Sequence, residues 1–303
     1  MNYKKLIKPR EFRKSALMKL GGFIPAKLYL KMLFKMEMGY RLNLEVPQTF
    51  HEKLQWLKLY NRQPEYRIMV DKAAVKDYVA NIIGEKYLIP TLGIWDRPED
   101  IEWDKLPKKF VLKTTHGGGS GGVVICTNKD SFDKDAAIQK LNNNLKTDIW
   151  TRYKEWQYKD VPRRILAEQY LEDKSTSVKG DLNDYKFYCF NGKVTYCEVI
   201  TGRRTKKQID FFDLEWNHVP FTFEGRTFAD NKIQKPECFE EMIDVAKKLS
   251  ENLPFSRIDM YVVHGKVYFG EITFFPASGF RGYNPPEWNR KLGDMIQLPK
   301  VTK

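Results

Sequence analysis

The sequence predicts an α+β protein, not a continuous parallel βαβ series. Three observations lead there. Helical patterns come first, then strands with sparse helices, then antiparallel hairpins. Two stretches read as hairpins closed by short glycine turns: residues 184–190 with 193–199 around Asn191-Gly192, and residues 257–263 with 266–273 around His264-Gly265. A glycine-rich run joins two apolar strands rather than a strand and a helix, so it is neither a Walker loop nor a dinucleotide fingerprint.

The chain has 303 residues, 42% hydrophobic, enough for a large core in one or two domains. No apolar run is long enough to span a bilayer. The start, Met1-Asn2-Tyr3-Lys4-Lys5, lacks the apolar stretch of a signal peptide. Cys126, Cys189, Cys197 and Cys238 form no CxxC and no metal-ligand spacing, which points to reduced thiols in a cytoplasmic protein. The net charge of +13 calls for an anionic partner: nucleic acid, a membrane surface, nucleotide phosphates or an acidic polymer.

Residues 1–45 are basic and helical in pattern, broken by Gly21-Gly22 and Pro25. Such helices suit contact with anionic headgroups at the inner face of a membrane, or packing on the main body with a solvated basic face. Half-burial is the commoner fate and is the expectation here. Thr49 with Glu52 forms a capping box that starts a helix carrying Phe50, Leu54 and Leu57. A second helix is expected from about Glu65 to Ile83, with Val70-Asp71-Lys72 inside it.

Short extended segments follow at residues 87–90 and 92–95. The strand Phe110-Val111-Leu112-Lys113 enters the run Thr114-Thr115-His116-Gly117-Gly118-Gly119-Ser120-Gly121-Gly122, and Val123 to Cys126 forms the return strand. A glycine loop between antiparallel strands can lay backbone N–H groups over phosphates. Residues 131–160 are helical and aromatic, with Trp150, Tyr153, Trp156 and Tyr158, and core packing is their default role. Residues 164–171 form a strand ending in Glu172 and Asp173. Further strand is expected across 211–223, and a helix carries Phe239, Met242, Ile243, Ala246 and Leu249. The tail is rich in Pro and Gly.

The last hairpin carries one acid on each strand, Asp259 and Glu271, although acids are depleted in strands. A strict two-residue turn puts them on opposite faces. A longer turn or one bulge puts them side by side. Two adjacent carboxylates repel unless a cation lies between them, and Mg²⁺ accepts one or two carboxylates plus phosphate oxygens.

Taken in order, these parts resemble the ATP-grasp fold: a strand Lys before a glycine hairpin loop, a strand ending Glu-x-Tyr-Leu, Asp-x-Lys opening a hairpin, then Arg-x-Asp and Glu-Ile-Thr. The chain is most similar to the TupA-like ATP-grasp family, named for the teichuronopeptide biosynthesis protein and found among bacterial surface-polysaccharide genes. Residues 49–57, 110–117, 167–171 and 184–193 carry the likeness, which covers about residues 45 to 280. It implies two α+β subdomains whose antiparallel sheets grip ATP. The basic helical region would be residues 1–60 and the ATP-grasp domain 61–303, with a glycine-loop subdomain at about 108–172 and a metal-binding subdomain at about 173–285.

The resemblance also implies roles. Lys113 would hold the α/β-phosphates with help from Lys72, and the loop over His116, Gly117, Gly118, Gly119 and Ser120 would close on the triphosphate. Glu168 would accept from the adenine amino group. Gln169, Tyr170 and Leu171 would follow along the base, with the Tyr170 backbone at its edge. Glu172 or Asp173 would take the ribose hydroxyls, and Asp184 shares a face with Lys186. Lys186 would contact the γ-phosphate and Arg257 the transferring phosphoryl group. Asp259, Glu271 and Thr273 would bind Mg²⁺, Thr273 standing where the fold usually has Asn.

The implied chemistry is carboxylate activation by ATP, followed by attack of an amine. The implied acceptor is a uronic acid or another acidic group on a surface glycan or its precursor, and the donor an amino acid or amine. Arg203, Arg204, Lys206, Lys207 and Arg281 are candidate acceptor contacts. Rival readings are a phosphotransferase on a glycan hydroxyl, and a glycosyltransferase-like or non-catalytic membrane-surface protein of polysaccharide assembly. No nucleic-acid module matches, so nucleic acid is not the expected partner.

Overall fold

The computed structural model describes residues 9–119, 121–172, 182–202 and 206–300. Its helices are α1 (Pro9–Lys19), α2 (Ala26–Met38), α3 (Phe50–Tyr60), α4 (Tyr66–Val70), α5 (Val75–Ile83), α6 (Lys134–Leu145), α7 (Ile149–Tyr153), α8 (Phe239–Leu249) and α9 (Trp288–Met295). Its strands are β1 (Thr91–Trp95), β2 (Phe110–Thr114), β3 (Val123–Cys126), β4 (Ile165–Gln169), β5 (Asp184–Phe190), β6 (Lys193–Thr201), β7 (Gln208–Phe212), β8 (His218–Val219), β9 (Thr222–Phe223), β10 (Phe255–Val263), β11 (Lys266–Thr273) and β12 (Tyr283–Asn284).

Two antiparallel sheets carry the architecture. One has four strands in the order β1-β4-β2-β3, the other six in the order β11-β10-β5-β6-β7-β8, and β9 pairs separately with β12. The α+β expectation holds. The four-stranded sheet packs a small core of Phe110, Leu112, Val124 and Ile165 against Ala137 and Leu141 of α6. The six-stranded sheet shares a larger core with α8 and with the N-terminal helices, whose Tyr29, Leu30, Leu33 and Phe34 are all buried.

Strand alternation splits the six-stranded sheet into an apolar face and a polar one. Ile272, Ile258, Phe187 and Cys197 form one cross-strand row. The amphipathic helix α8 covers that side, burying Phe239, Met242, Val245, Ala246 and Leu249, with Phe239 5.7 Å from Phe187. Each aromatic ring so buried contributes roughly 1.5–3 kcal/mol. The neighbouring row on the opposite face is Glu271, Asp259, Lys186 and Glu198. The packing that buries one row therefore presents the other.

The capping box forms as expected: the Thr49 hydroxyl accepts from the Glu52 N–H, and Glu52 reaches back to the Thr49 N–H. The single helix expected from Glu65 to Ile83 is instead two. Asp71 leaves helical geometry (φ −74°, ψ 113°) between α4 and α5. Its carboxylate accepts from the Ala73 N–H at 2.9 Å and from Arg164 at 2.9 Å. Local capping and a tertiary ion pair outweigh helix propensity there. No described helix is long and apolar enough to cross a membrane.

Candidate nucleotide and metal site

Both hairpins are built by the same device. Each has a two-residue turn with positive φ at both central residues, Asn191 (52°) and Gly192 (75°), then His264 (50°) and Gly265 (74°), as a type I′ turn requires. Each returning strand then carries one extra residue. In the first, Lys186 pairs with Glu198 after a shift between Tyr188 and Cys189. In the second, Val263 pairs with Lys266, but Asp259 pairs with Glu271 and Met260 with Phe269, which leaves Gly270 as the bulge. Of the two registers open from sequence, the bulged one is found. A Cβ on Gly270 would lie 3.0 Å from the Asp259 carbonyl oxygen and 3.2 Å from the Tyr261 ring, so the bulge favours glycine.

The first group of site residues lies on this polar face. Arg257 grips Asp259 in bidentate fashion, Nε and Nη2 each at 2.7 Å, and stands 3.5 Å from Glu271. Lys186 donates to Asp259 and lies 3.5 Å from Asp184. Thr273 Oγ1 donates to Glu271 at 3.1 Å and accepts from Arg257 at 3.2 Å. Burial would raise the Glu271 pKa, but Lys72, Lys186 and Arg257 together hold it down to about 2. Burial would lower the Lys186 pKa, yet Asp259 lifts it above the ordinary lysine value. Arg257 follows the same logic, with Asp259 and then Glu198 outweighing burial.

The second group lies on the four-stranded sheet. Lys113 on β2 and Lys76 on α5 hold the two oxygens of Glu168 at 2.5 and 2.6 Å. Burial opposes ionisation of Glu168, and the two lysines still depress its pKa below the usual carboxylate value. Lys72 connects the groups. Its pKa is lowered by burial against the pull of Glu271, and it also senses Lys113 and Glu168. The break at Asp71 sends the Lys72 N–H to Thr115 O at 3.1 Å and its ammonium to Gly117 O, in the glycine loop.

That loop is anchored at its base. Thr114 N–H donates to Gly122 O at 3.0 Å, and the Thr114 hydroxyl donates to Asn144 of α6 at 2.6 Å. A Cβ on Gly122 would fall 2.1 Å from that hydroxyl, so only glycine passes. His116 is buried, and burial first, then Arg163, lowers its pKa.

The structure therefore brings together Lys72, Lys113, Glu168, Asp184, Lys186, Arg257, Asp259, Glu271 and Thr273, with His116, Gly117, Gly118 and Gly119 at the loop beside them. Gln169 closes β4, its N–H on Pro90 O at 3.0 Å. Tyr170 and Glu172 turn to Lys109, which stands 5.9 Å from the ring centroid and 2.6 Å from the carboxylate. Leu171 follows them. Ser120, Asp173, Arg203 and Arg204 lie outside the described residues.

Three residues were missed. Lys76 follows Lys72 by four residues, one turn of the helix expected there from sequence, a spacing that could have found it. Glu198 is an acid inside a strand, the same anomaly that drew attention to Asp259. Tyr158, assigned to core packing, comes within 3.8 Å of a Cβ placed on Gly118, and its pKa is raised far above the tyrosine value by burial, Glu155 and Glu271. Beside it a cleft of about 320 Å³ is lined by His116, Trp150, Tyr158, Lys159 and Arg163, and by the acids Asp148 and Asp160.

The residues present fit a metal–nucleotide pair. Among the described residues no cluster of three or more His, Cys, Asp or Glu could hold a metal alone. Asp259 and Glu271 supply two carboxylates, which matches Mg²⁺ completed by phosphate oxygens once Arg257 and Lys186, now on Asp259, turn to the phosphates. The surrounding Lys72, Lys113, Lys186 and Arg257 are the cations that phosphates need.

No curated protein matches the sequence. Among solved structures the chain is similar to a D-alanine–D-alanine ligase from Bacillus anthracis (19% identity, TM-score 0.43, covering 76% of this chain and 66% of that one). It is also similar to a D-alanyl-alanine synthetase A from Vibrio cholerae (12%, 0.41, 83% and 64%). A third is an ADP complex of N5-carboxyaminoimidazole ribonucleotide synthetase (14%, 0.42, 81% and 56%). The chain spans under two thirds of the length of each of these. The model of the family described as TupA-like ATPgrasp matches residues 52–297. Over most of its length, then, this chain belongs to the TupA-like ATP-grasp family.

Proposed function

We propose that the protein is an ATP-dependent carboxylate–amine ligase, acting at the inner face of the membrane on an acidic surface glycan or its precursor. The observation that carries this reading is the row of Glu271, Asp259 and Lys186, with Arg257 beside it and Lys72 and Lys113 across from it. Bound ATP with Mg²⁺ would supply the γ-phosphoryl group and neutralise the charge that develops on it. Asp259 and Glu271 hold the metal, with Thr273 orienting Glu271. Lys113 and Lys72 bind phosphate oxygens, and Gly117 to Gly119 offer backbone N–H groups over them. Glu168, freed from one lysine, accepts from the adenine amino group. Glu172 or Asp173 takes the ribose hydroxyls.

An acceptor carboxylate oxygen attacks the γ-phosphorus, the bond to the β–γ bridging oxygen breaks, and ADP leaves. Lys186 and Arg257 stabilise the charge on the phosphoryl oxygens. The amine nitrogen then attacks the acyl carbon, phosphate leaves, and the nitrogen gives up a proton. The cleft beside the glycine loop suits a sugar as acceptor: Trp150 and Tyr158 line it with aromatic rings, Lys159 and Arg163 with cations for a carboxylate, and Asp148 and Asp160 with acceptors for hydroxyls. The test incubates the protein with Mg-ATP, a glucuronate-containing oligosaccharide, an amino-acid mixture and hydroxylamine. An acyl hydroxamate on the glycan is the expected product. A phosphorylated sugar hydroxyl would mean phosphoryl transfer without ligation and would sink the ligase reading.

A further inference from the structure

The N-terminal helices present an apolar and basic surface that the fold leaves uncovered. Phe12 of α1, Leu20 and Phe23 of the connecting turn, and Leu28 and Met32 of α2 are all exposed, Phe23 at 88%. On α2 the opposite side is buried through Tyr29, Leu30, Leu33 and Phe34, so the helix already has its packing partner. Its outward face carries Lys27, Lys31 and Lys35 at one-turn intervals, with Leu28 and Met32 in the adjacent row. That second row extends the apolar surface of Leu20 and Phe23 along the basic one.

The turn that carries Phe23 is held firmly. Lys154 donates to Gly21 O, the Tyr29 hydroxyl donates to Arg152 O at 2.7 Å, and Gly21 is buried against Thr151. The exposed ring is therefore presented by a braced turn. Further along α2, Lys27 and Lys31 line a cleft of about 250 Å³ with Arg41, Asn43 and Glu45. Three cations around one cleft suit a phosphate group. Between residues 9 and 45 the sequence has Arg10, Arg13, Lys14, Lys19, Lys27, Lys31, Lys35 and Arg41 against Glu11, Glu37 and Glu45.

We propose that this surface docks the protein on an anionic phospholipid bilayer. Phe23, Leu20, Leu28 and Met32 insert among the acyl-chain ends, and Lys27, Lys31 and Arg41 take a headgroup phosphate. The stems of the lysines lie along the apolar residues while the ammonium groups stay at headgroup level. The inference makes specific the membrane location proposed above and is independent of the ligase chemistry.

The test sediments the full chain with vesicles of phosphatidylcholine alone or of equimolar phosphatidylcholine and phosphatidylglycerol, and measures Mg-ATP binding on the same samples. The wild type should bind the anionic vesicles and not the neutral ones. The charge-preserving variant Phe23→Ser/Leu28→Ser should lose roughly tenfold or more in partitioning, as removal of two inserted side chains requires. Lys27→Gln/Lys31→Gln should lose binding on the charge side. Mg-ATP binding should be unchanged in all of these, which reports on the site separately. Two results would overturn the proposal: no wild-type binding to anionic vesicles, or equal binding by Phe23→Ser/Leu28→Ser, which would reduce the contact to diffuse attraction by a basic protein. Loss of a concentration-dependent dimer in that variant, without vesicle binding by the wild type, would assign the surface to self-association instead.

Discussion

Asp259 and Glu271 face each other across neighbouring strands because Gly270 is an extra residue between Glu271 and Phe269 in the pairing. The turn itself would place them on opposite faces. One bulged glycine thus decides whether the two carboxylates can share a metal.

Alanine at position 270 would press on the Asp259 carbonyl at 3.0 Å and on Tyr261. We expect Gly270→Ala to lose about 1–3 kcal/mol of stability, as overpacked sites do. The Mg²⁺ dependence of ATP binding should weaken along with it. Denaturant unfolding together with ATP titration at varied Mg²⁺ checks both; an unchanged Mg²⁺ dependence would separate the bulge from the metal.

Lys113 and Lys76 share the buried Glu168. Methionine at 113 keeps the bulk and leaves the carboxylate with Lys76 alone. Breaking a buried pair costs about 3–5 kcal/mol, and the remaining lysine places Lys113→Met at the lower end of that range. Urea unfolding measures it, and ATP affinity should fall in the same variant.

Tyr188 donates its hydroxyl to Glu198 at 2.9 Å on the polar face. Tyr188→Phe leaves a buried carboxylate one hydrogen bond short, with an expected loss of ~1.5–3 kcal/mol. Thermal unfolding tests it; a melting curve identical to the wild type would mean that water replaces the bond.

Acid should destabilise the ligand-free protein through Glu271. Its folded-state pKa is about 2, against an ordinary value of 4.5. Between those values the unfolded chain binds more protons, so stability present above the ordinary pKa is lost as pH falls toward the lower one. Glu271→Gln should lose less stability than the wild type between pH of about 5 and about 2.5. Chemical unfolding across that range checks the slope, and parallel curves would show that other carboxylates carry the acid limb.

Much of this site was legible because its signals are local. The Asn-Gly and His-Gly turns announce hairpins, the Thr49–Glu52 spacing announces a helix start, and acids in strands are anomalies that ask for a partner. What stayed open depends on single-residue geometry or on distant chain. The sequence permits both registers of the last hairpin, since glycine at 270 allows a bulge without requiring one. The break at Asp71 depends on Arg164, 93 residues further on. Tyr158 reaches the glycine loop from a segment with no motif, and the packing of its turn against α4 and α7 brings it there. The row of Glu271, Asp259, Lys186 and Glu198 spans four strands and two bulges, so it exists only once the sheet is assembled.

The central claim is that the two acids bind a metal–nucleotide pair gripped by Lys113 of the other sheet and by Lys72 at the break between α4 and α5. Calorimetric titration with a non-hydrolysable ATP analogue, with and without Mg²⁺, tests it on wild type and on Asp259→Asn/Glu271→Gln. The account predicts Mg²⁺-dependent binding by the wild type and a loss of that dependence in the variant. Binding that ignores Mg²⁺ in the wild type, or that survives intact in the variant, would contradict it.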